Sequence, residues 1–231
     1  MSYYKNFKLV FNNPLWNFYL RWAYAKGITD LERLDFRADF SKPNFTCLLC
    51  GVAQERTAGE FIKFALQRNP NAKIWIIDIA EEQIRAIEKL VKQKYPNRNI
   101  RIQRINALEL DSLIPKASLD WIETDAFMQY FNSPSLSKLW DIWNQLLKPD
   151  GFITIRDFST TGSLVAVADK FRIWLVKAWL KAKIFRHTKN EFYQLFKRCG
   201  FKAIEGLTPL PTYKRFSLIK REPTWQTPFR S

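Results

Sequence analysis

Apolar positions along the chain follow two rhythms, short runs or alternations of five to eight residues and longer stretches with a period near 3.6. TCLLCG (46–51), KIWIIDI (73–79), NIRIQRI (99–105), SLDWIETD (118–125) and GFITIRDF (151–158) predict strands. Between them lie helical patterns: 57–68, with Phe61, Phe64, Ala65 and Arg68 in register, 81–95, and 136–147. The helix at 81–95 places Ile84, Ile87, Leu90 and Val91 on one face, with acids at its start and lysines at its end, as the helix dipole favours. Pro96 and Asn97 stop it, and Lys148-Pro149-Asp150-Gly151 follows the third helix. A further helix spans 190–199, and FKAIEGL and YKRFSLIKR flank Pro209 and Pro211 as two antiparallel strands. Near the start, PLWNFYLRWAYAK (14–26) opens on Pro and stops before Gly27, which predicts a short helix.

Strand and helix alternating in this way call for a parallel sheet covered on both faces. The expected fold is a doubly wound α/β domain with a mostly parallel seven-stranded sheet and an antiparallel edge hairpin. An N-terminal helical cap (1–43) precedes the Rossmann-like domain (44–231), and a helical insertion after strand five occupies about 161–189. Read as one helix, that insertion has an apolar face (Phe171, Trp174, Leu175, Ala178, Trp179, Ala182, Phe185) and an opposite stripe (Ile173, Val176, Leu180, Ile184) flanked by lysines. The second stripe needs a cover, for which the aromatic side of the N-terminal helix (Trp16, Phe18, Tyr19, Trp22) is suited; another subunit, a membrane surface or an apolar substrate are alternatives.

Charge modifies this picture. The chain carries 37 Lys and Arg against 22 Asp and Glu, a formal +15, of which +11 falls in residues 131–231. Such a surface favours anionic partners: nucleic acid, anionic lipid or an acidic carrier. With 47% hydrophobic residues a packed core is available and disorder is excluded. The start of the chain is too polar for a secretory signal. Three cysteines do not build a disulfide framework, and the chain reads as a reduced, cytoplasmic protein. Cys47 and Cys50 form a C-x-x-C, but alternation along a strand sends them to opposite faces, so they read as core residues and no metal site is expected.

In doubly wound sheets, ligands bind beyond the carboxyl ends of the strands where strand order reverses. The residues there are Gly51-Val52-Ala53-Gln54 after strand one, Asp78 after strand two, Asn106-Ala107 after strand three, and Thr124-Asp125-Ala126-Phe127 after strand four. Small residues at 51 and 53 let backbone approach a ligand, and an acid at 78 can accept two hydrogen bonds from a ribose diol. Asn106 beside Ala107 can read an adenine edge in an apolar slot.

In order and spacing, LLCGVAQ, IIDIAEEQI, RINALEL, LDWIETDAF, LLKPDGFITIRDF and the late KRCGF resemble the class I methyltransferases dependent on S-adenosylmethionine. The resemblance covers about 44–160 and, more loosely, 190–221. It implies that S-adenosylmethionine is the cofactor, with S-adenosylhomocysteine as product. Gly51, Val52 and Ala53 would lie under its methionine part, with Gln54 in the same turn. Asp78 would hold the ribose and Ile79 would pack on adenine. Asn106 and Ala107 would flank the base, and Thr124 and Asp125 would lie near the sulfonium and the acceptor. The family's Gly-x-Gly-x-Gly is here Gly51-x-Ala53-x-Glu55, and its aspartate near the base is Asn106. Nicotinamide dehydrogenases share the acid after strand two but require a G-x-G-x-x-G that is absent.

Methyl transfer is an in-line displacement in which the protein supplies alignment and, for alcohols or phenols, a base. Asp125, Tyr130 and Asp157 stand at strand ends facing the cleft, with Asp125 favoured to orient the acceptor. His187, the only histidine, is either a base positioned by the cap or a solvated residue in a basic stretch. The expected function is a methyltransferase acting on a small apolar or aromatic acceptor, including anionic or carrier-bound ones. An RNA methyltransferase, or a cofactor-binding module working through its basic helix (164–186) at a membrane or partner, are the alternatives. A homo-oligomer is compatible with all three.

Overall fold

Every side chain of β1 (Thr46–Cys50) is buried, as an apolar run without alternation requires when both faces of a strand are covered. The computed structural model describes residues 14–52, 54–159, 170, 173–174, 183–209 and 213–220. In chain order the further elements are α1 (Pro14–Glu32), α2 (Glu55–Arg68), β2 (Lys73–Asp78), α3 (Glu81–Lys94), β3 (Ile100–Arg104), β4 (Leu119–Asp125), α4 (Ser133–Leu146), β5 (Leu147–Phe158), α5 (Lys189–Arg198), β6 (Phe201–Leu207) and β7 (Tyr213–Lys220). The strands form one seven-stranded sheet in the order β3-β2-β1-β4-β5-β7-β6. The first five are parallel, and β7 runs antiparallel between β5 and β6. The sheet is thus the mostly parallel one the sequence predicts.

Alternation sorts the core into two layers. Cys47, Leu49, Trp121 and Phe152 face α1 and α2, where Trp121 packs against Phe61 at 4.8 Å and stacks on Phe152 at 5.8 Å. Leu48, Cys50, Ile122 and Ile153 face the other way, onto Trp140 and Trp143 of α4 and Phe192 and Phe196 of α5. Cys47 and Cys50 accordingly lie in different layers, both buried and free.

α1 differs from the expected short helix. It continues six residues beyond Lys26, because Gly27 lets it press against the sheet: a Cβ there would lie 3.0 Å from Thr154 Cγ2, and the Gly27 carbonyl accepts the Ser217 hydroxyl at 2.8 Å. A glycine that reads as a stop is here a point of close approach. Asp30 then holds Arg215 of β7, with Nε at 2.7 Å, and the Arg215 guanidinium lies over the Trp22 ring at 5.5 Å.

The insertion after β5 falls largely outside the described residues, at 160–169, 171–172 and 175–182, and with it most of the basic stretch 164–186. Where description resumes, residues 183–187 are not helical, in contrast to the single helix expected to 189. The Phe185 N–H donates to the Gln129 carbonyl at 2.8 Å, which ties this run to the loop after β4. Thr188 then opens α5 with a reciprocal cap, its hydroxyl accepting from Glu191 N–H and the Glu191 carboxylate accepting from its own N–H. Among the described residues no helix is long and apolar enough to cross a membrane.

Candidate active site

Strand order reverses between β1 and β4, so a crevice at their carboxyl ends is where a ligand site belongs. The β1–α2 turn, Asp78 with Ile79, Asn106 with Ala107, and the segment 124–127 meet there. Ala53 lies outside the described residues.

The Asp78 carboxylate closes the first two loops. Oδ2 accepts the Val52 N–H at 2.6 Å, and Oδ1 accepts the Ala80 N–H at 2.7 Å. A carboxylate offers about four acceptor positions, so these bonds leave capacity for a ribose diol while fixing the direction in which it is offered. Burial raises the Asp78 pKa above the ordinary value, against the backbone N–H groups of Val52, Ala80 and Ile79, which lower it. Ile79, next along, is 68% exposed, an apolar shelf at the mouth of the crevice. Asn106 caps a 3-10 turn through Oδ1, which accepts from Leu108 N–H at 3.1 Å, and Ala107 is buried beside it.

Gly51 adopts φ +73°, in the left-handed region, and its N–H donates to the Ile77 carbonyl at 3.0 Å. A side chain at this position would collide with Cδ2 and Cε2 of Phe127. The glycine therefore makes room for an aromatic ring of the β4 loop, where the sequence suggested room for a ligand. Ala126, just before that ring, also has positive φ (51°), an arrangement that costs a non-glycine residue about 1 kcal/mol or more. Its N–H donates to the Arg156 carbonyl at 2.7 Å, which holds the turn.

The remaining site candidates fall in places the sequence did not reveal. Thr124 is fully buried and its hydroxyl donates to the Cys50 carbonyl at 2.8 Å, so it ties β4 to β1 and does not face a ligand. Asp157 does not open to the cleft either: it is buried, accepting from Met128 N–H at 2.6 Å and Phe158 N–H at 2.7 Å. Tyr130 ends the 3-10 turn Met128–Tyr130, half-buried. His187 is not a solvated residue: it is 4% exposed, with Nε2 2.9 Å from the Phe131 carbonyl. A carbonyl can only accept, so Nε2 carries the proton in that bond, and the ring fastens the segment before α5 to the loop after β4.

Asp125 belongs to a buried ionic cluster that pattern reading passed over. Trp121, Glu123 and Asp125 share the α1 face of β4, and Thr154 and Arg156 stand beside them on β5. Arg156, 1% exposed, lies 2.8 Å from Glu123 Oε1 and 3.0 Å from Asp125 Oδ2, with its guanidinium 4.9 Å from the Tyr24 ring centre. Thr154 donates to Glu123 and accepts from Trp121 Nε1. The hydroxyls of Tyr19 and Tyr24, from α1, are buried alongside. Burial raises both phenols and the Asp125 carboxyl, and pushes the Glu123 carboxyl up to about 7, against the lowering effect of Arg156.

That raised value has a thermodynamic consequence. Between pH 4.5 and about 7 the native state keeps a proton on Glu123 that the unfolded chain has released, so stability falls as pH rises through this window. Glu123→Gln, which keeps an acceptor for Thr154 without the charge, is expected to flatten the dependence. Urea titrations at pH 5 and pH 8 should differ less in the variant by up to ~3 kcal/mol. An unchanged difference would place Glu123 outside the titration.

A recess of about 500 Å³ lies off the crevice between α1, α2 and α3, lined by Asn17, Arg56, Glu60, Lys63, Lys94 and Tyr95. Its lining is the outer surface of those helices and shares none of the strand-tip residues.

The strand order and the antiparallel β7 give the chain the Rossmann-like fold of the class I methyltransferases. Residues 57–151 match the family model described as a methyltransferase domain. A search of curated proteins found no match. Among solved structures, the YcgJ protein of Bacillus subtilis is 16% identical, with a TM-score of 0.62, 86% of this chain covered and 100% of that one. An O-methyltransferase family protein from Burkholderia thailandensis is 14% identical (TM-score 0.63; 87% and 57% covered). A putative O-methyltransferase from Nostoc punctiforme is 19% identical (TM-score 0.60; 78% and 53% covered). The chain spans about half the length of the first solved structures it matches, 49% to 53%.

The residues present fit the cofactor of this class at its nucleoside end and at the helix that follows β1. Asp78 has acceptor capacity for the sugar, and Ile79 offers an apolar face to the base. At the first turn of α2, Gln54 Nε2 and Thr57 Oγ1 are buried donors without a partner, at the helix end whose dipole favours an anion such as the cofactor's carboxylate.

Proposed function

We propose that the protein methylates a small acceptor, apolar or aromatic in body, at an oxygen atom. The observation that carries this reading is the convergence of Asp78, with Ile79, and the β4 tip, backed by aromatic α1, at the carboxyl ends of the strands where strand order reverses. Two of the compared structures are described as O-methyltransferases, which supports oxygen as the accepting atom.

S-adenosylmethionine supplies a methyl group already activated on a sulfonium. The protein then has to bind, align and exclude water. Asp78 would accept the ribose hydroxyls, Ile79 and Ala107 would enclose adenine, Asn106 would address its edge, and Gln54 with Thr57 would hold the carboxylate. Asp125, kept in place by Arg156, would accept a hydrogen bond from the acceptor hydroxyl and orient it. α1, with Tyr19 and Trp22, would roof the acceptor side of the site. The setting is the cytoplasm, which suits three free, buried thiols.

The test is formation of S-adenosylhomocysteine in the presence of phenols, aromatic acids and aliphatic alcohols. Turnover with an aromatic hydroxyl compound, insensitive to salt, supports the reading. Methylation of RNA with a steep loss of binding between 50 and 200 mM salt would replace it by the nucleic-acid alternative that the net charge of +15 recommends.

A further inference from the structure

Phe127 stands beside the β1–α2 turn. Its ring lies on the Cα of Gly51, so closely that a Cβ at 51 would collide with it unless the ring moved, and it meets the Phe131 ring edge-on at 5.0 Å. The backbone on either side is pinned. The Ala126 N–H is held by the Arg156 carbonyl and the Met128 N–H by the Asp157 carboxylate, at 2.7 and 2.6 Å. The Phe127 carbonyl accepts from Tyr130 N–H at 3.2 Å. The main chain at 126–128 is therefore a fixed mount, and what remains free is rotation about the Phe127 side-chain bonds. The ring is only partly buried, so solvent lies on one side of it.

The β1–α2 turn it covers is the one whose Val52 N–H is bound to Asp78, between the sugar-binding acid and the buried donors Gln54 and Thr57. A ligand that reaches from Asp78 to the first turn of α2 must pass over Gly51. We propose that Phe127 is a side-chain gate over the methionine half of the cofactor site: its ring rests on Gly51 in the free protein and swings off when the cofactor binds. This rests on the cofactor reading and adds to it a cost of opening. A protein whose competent state is a fraction of the whole binds with an affinity reduced by that fraction. Gly51 thus serves the closed gate as well as the ligand.

Three proteins test the gate by calorimetric titration with S-adenosylhomocysteine: the wild type, Phe127→Ala and Phe127→Leu. If the ring is a gate, removing it abolishes the closed state, and Phe127→Ala binds tighter than the wild type by about three- to tenfold. Phe127→Leu, which keeps most of the packing, falls between them. Thermal unfolding of the free proteins shows that each variant is folded. An independent readout uses Gly51→Ala, which lowers the melting temperature of the free protein less when Phe127 is already Ala, because the collision with the ring is gone. Equal or weaker binding by Phe127→Ala overturns the gate, since the ring would then be a bystander or a wall of the occupied site. Binding by the variant but not by the wild type supports it in its strongest form. Binding by neither overturns the cofactor reading, and the gate with it.

Discussion

Arg156→Met is expected to destabilise the protein by about 3–5 kcal/mol, the size found when one partner of a buried ion pair is removed and the other charges stay behind. The guanidinium is the only cation within ion-pair distance of Glu123 and Asp125 among the described residues; it and Glu123 are buried between the sheet and α1, and Asp125 is partly buried at their edge. Methionine fills much of the volume, so the loss reports charge left without a partner. It should be larger at pH 8 than at pH 5, because protonation of Glu123 relieves half of the problem. Adding Glu123→Gln and Asp125→Asn to Arg156→Met should restore most of the stability, as the charges to be compensated are then gone. Urea unfolding measures all of these. A loss under ~1 kcal/mol at pH 8 would mean that the cluster is hydrated and that α1 does not seal it.

Asp78→Ala is expected to weaken binding of S-adenosylhomocysteine by roughly 1.5–3 kcal/mol, ten- to a hundredfold or more, the range for a lost hydrogen bond to a charged group. Two effects combine. The sugar loses its acceptor, and the N–H groups of Val52 and Ala80 lose the carboxylate that aligns both loops. Because burial raises the Asp78 pKa, affinity should also decline on acidification at a higher pH than an ordinary aspartate would give, and Asp78→Ala should abolish that dependence. Unchanged affinity in the variant would remove Asp78 from the site.

Much of this was legible along the chain because strand and helix periods differ. Continuous apolar runs predicted covered strands, and the alternation of IRIQR matched an edge strand whose arginines stay exposed. The acid after β2 and the loop after β4 can be placed at one end of the sheet from position alone, since topology sends them there. What escaped notice depends on contacts between distant segments. Gly27 reads as a helix stop unless Thr154 and Ser217 are known to lie against it. His187 reads as solvated amid basic residues, while in the fold it is buried against the Phe131 carbonyl and the Phe192 ring. Phe127 was visible as an aromatic after β4, but its place on Gly51 follows from the side-by-side β1 and β4. Glu123 and Arg156 stand inside the central, buried stretches of two strands. Opposite charges at such positions are expected to meet.

Titration calorimetry of the free, wild-type protein with S-adenosylhomocysteine tests the central assignment most directly. Saturable binding of one ligand per chain at micromolar concentration is the expected result. An absence of saturable heat up to the millimolar range would contradict the assignment of a methyl-donor site at the tips of β1, β2 and β4.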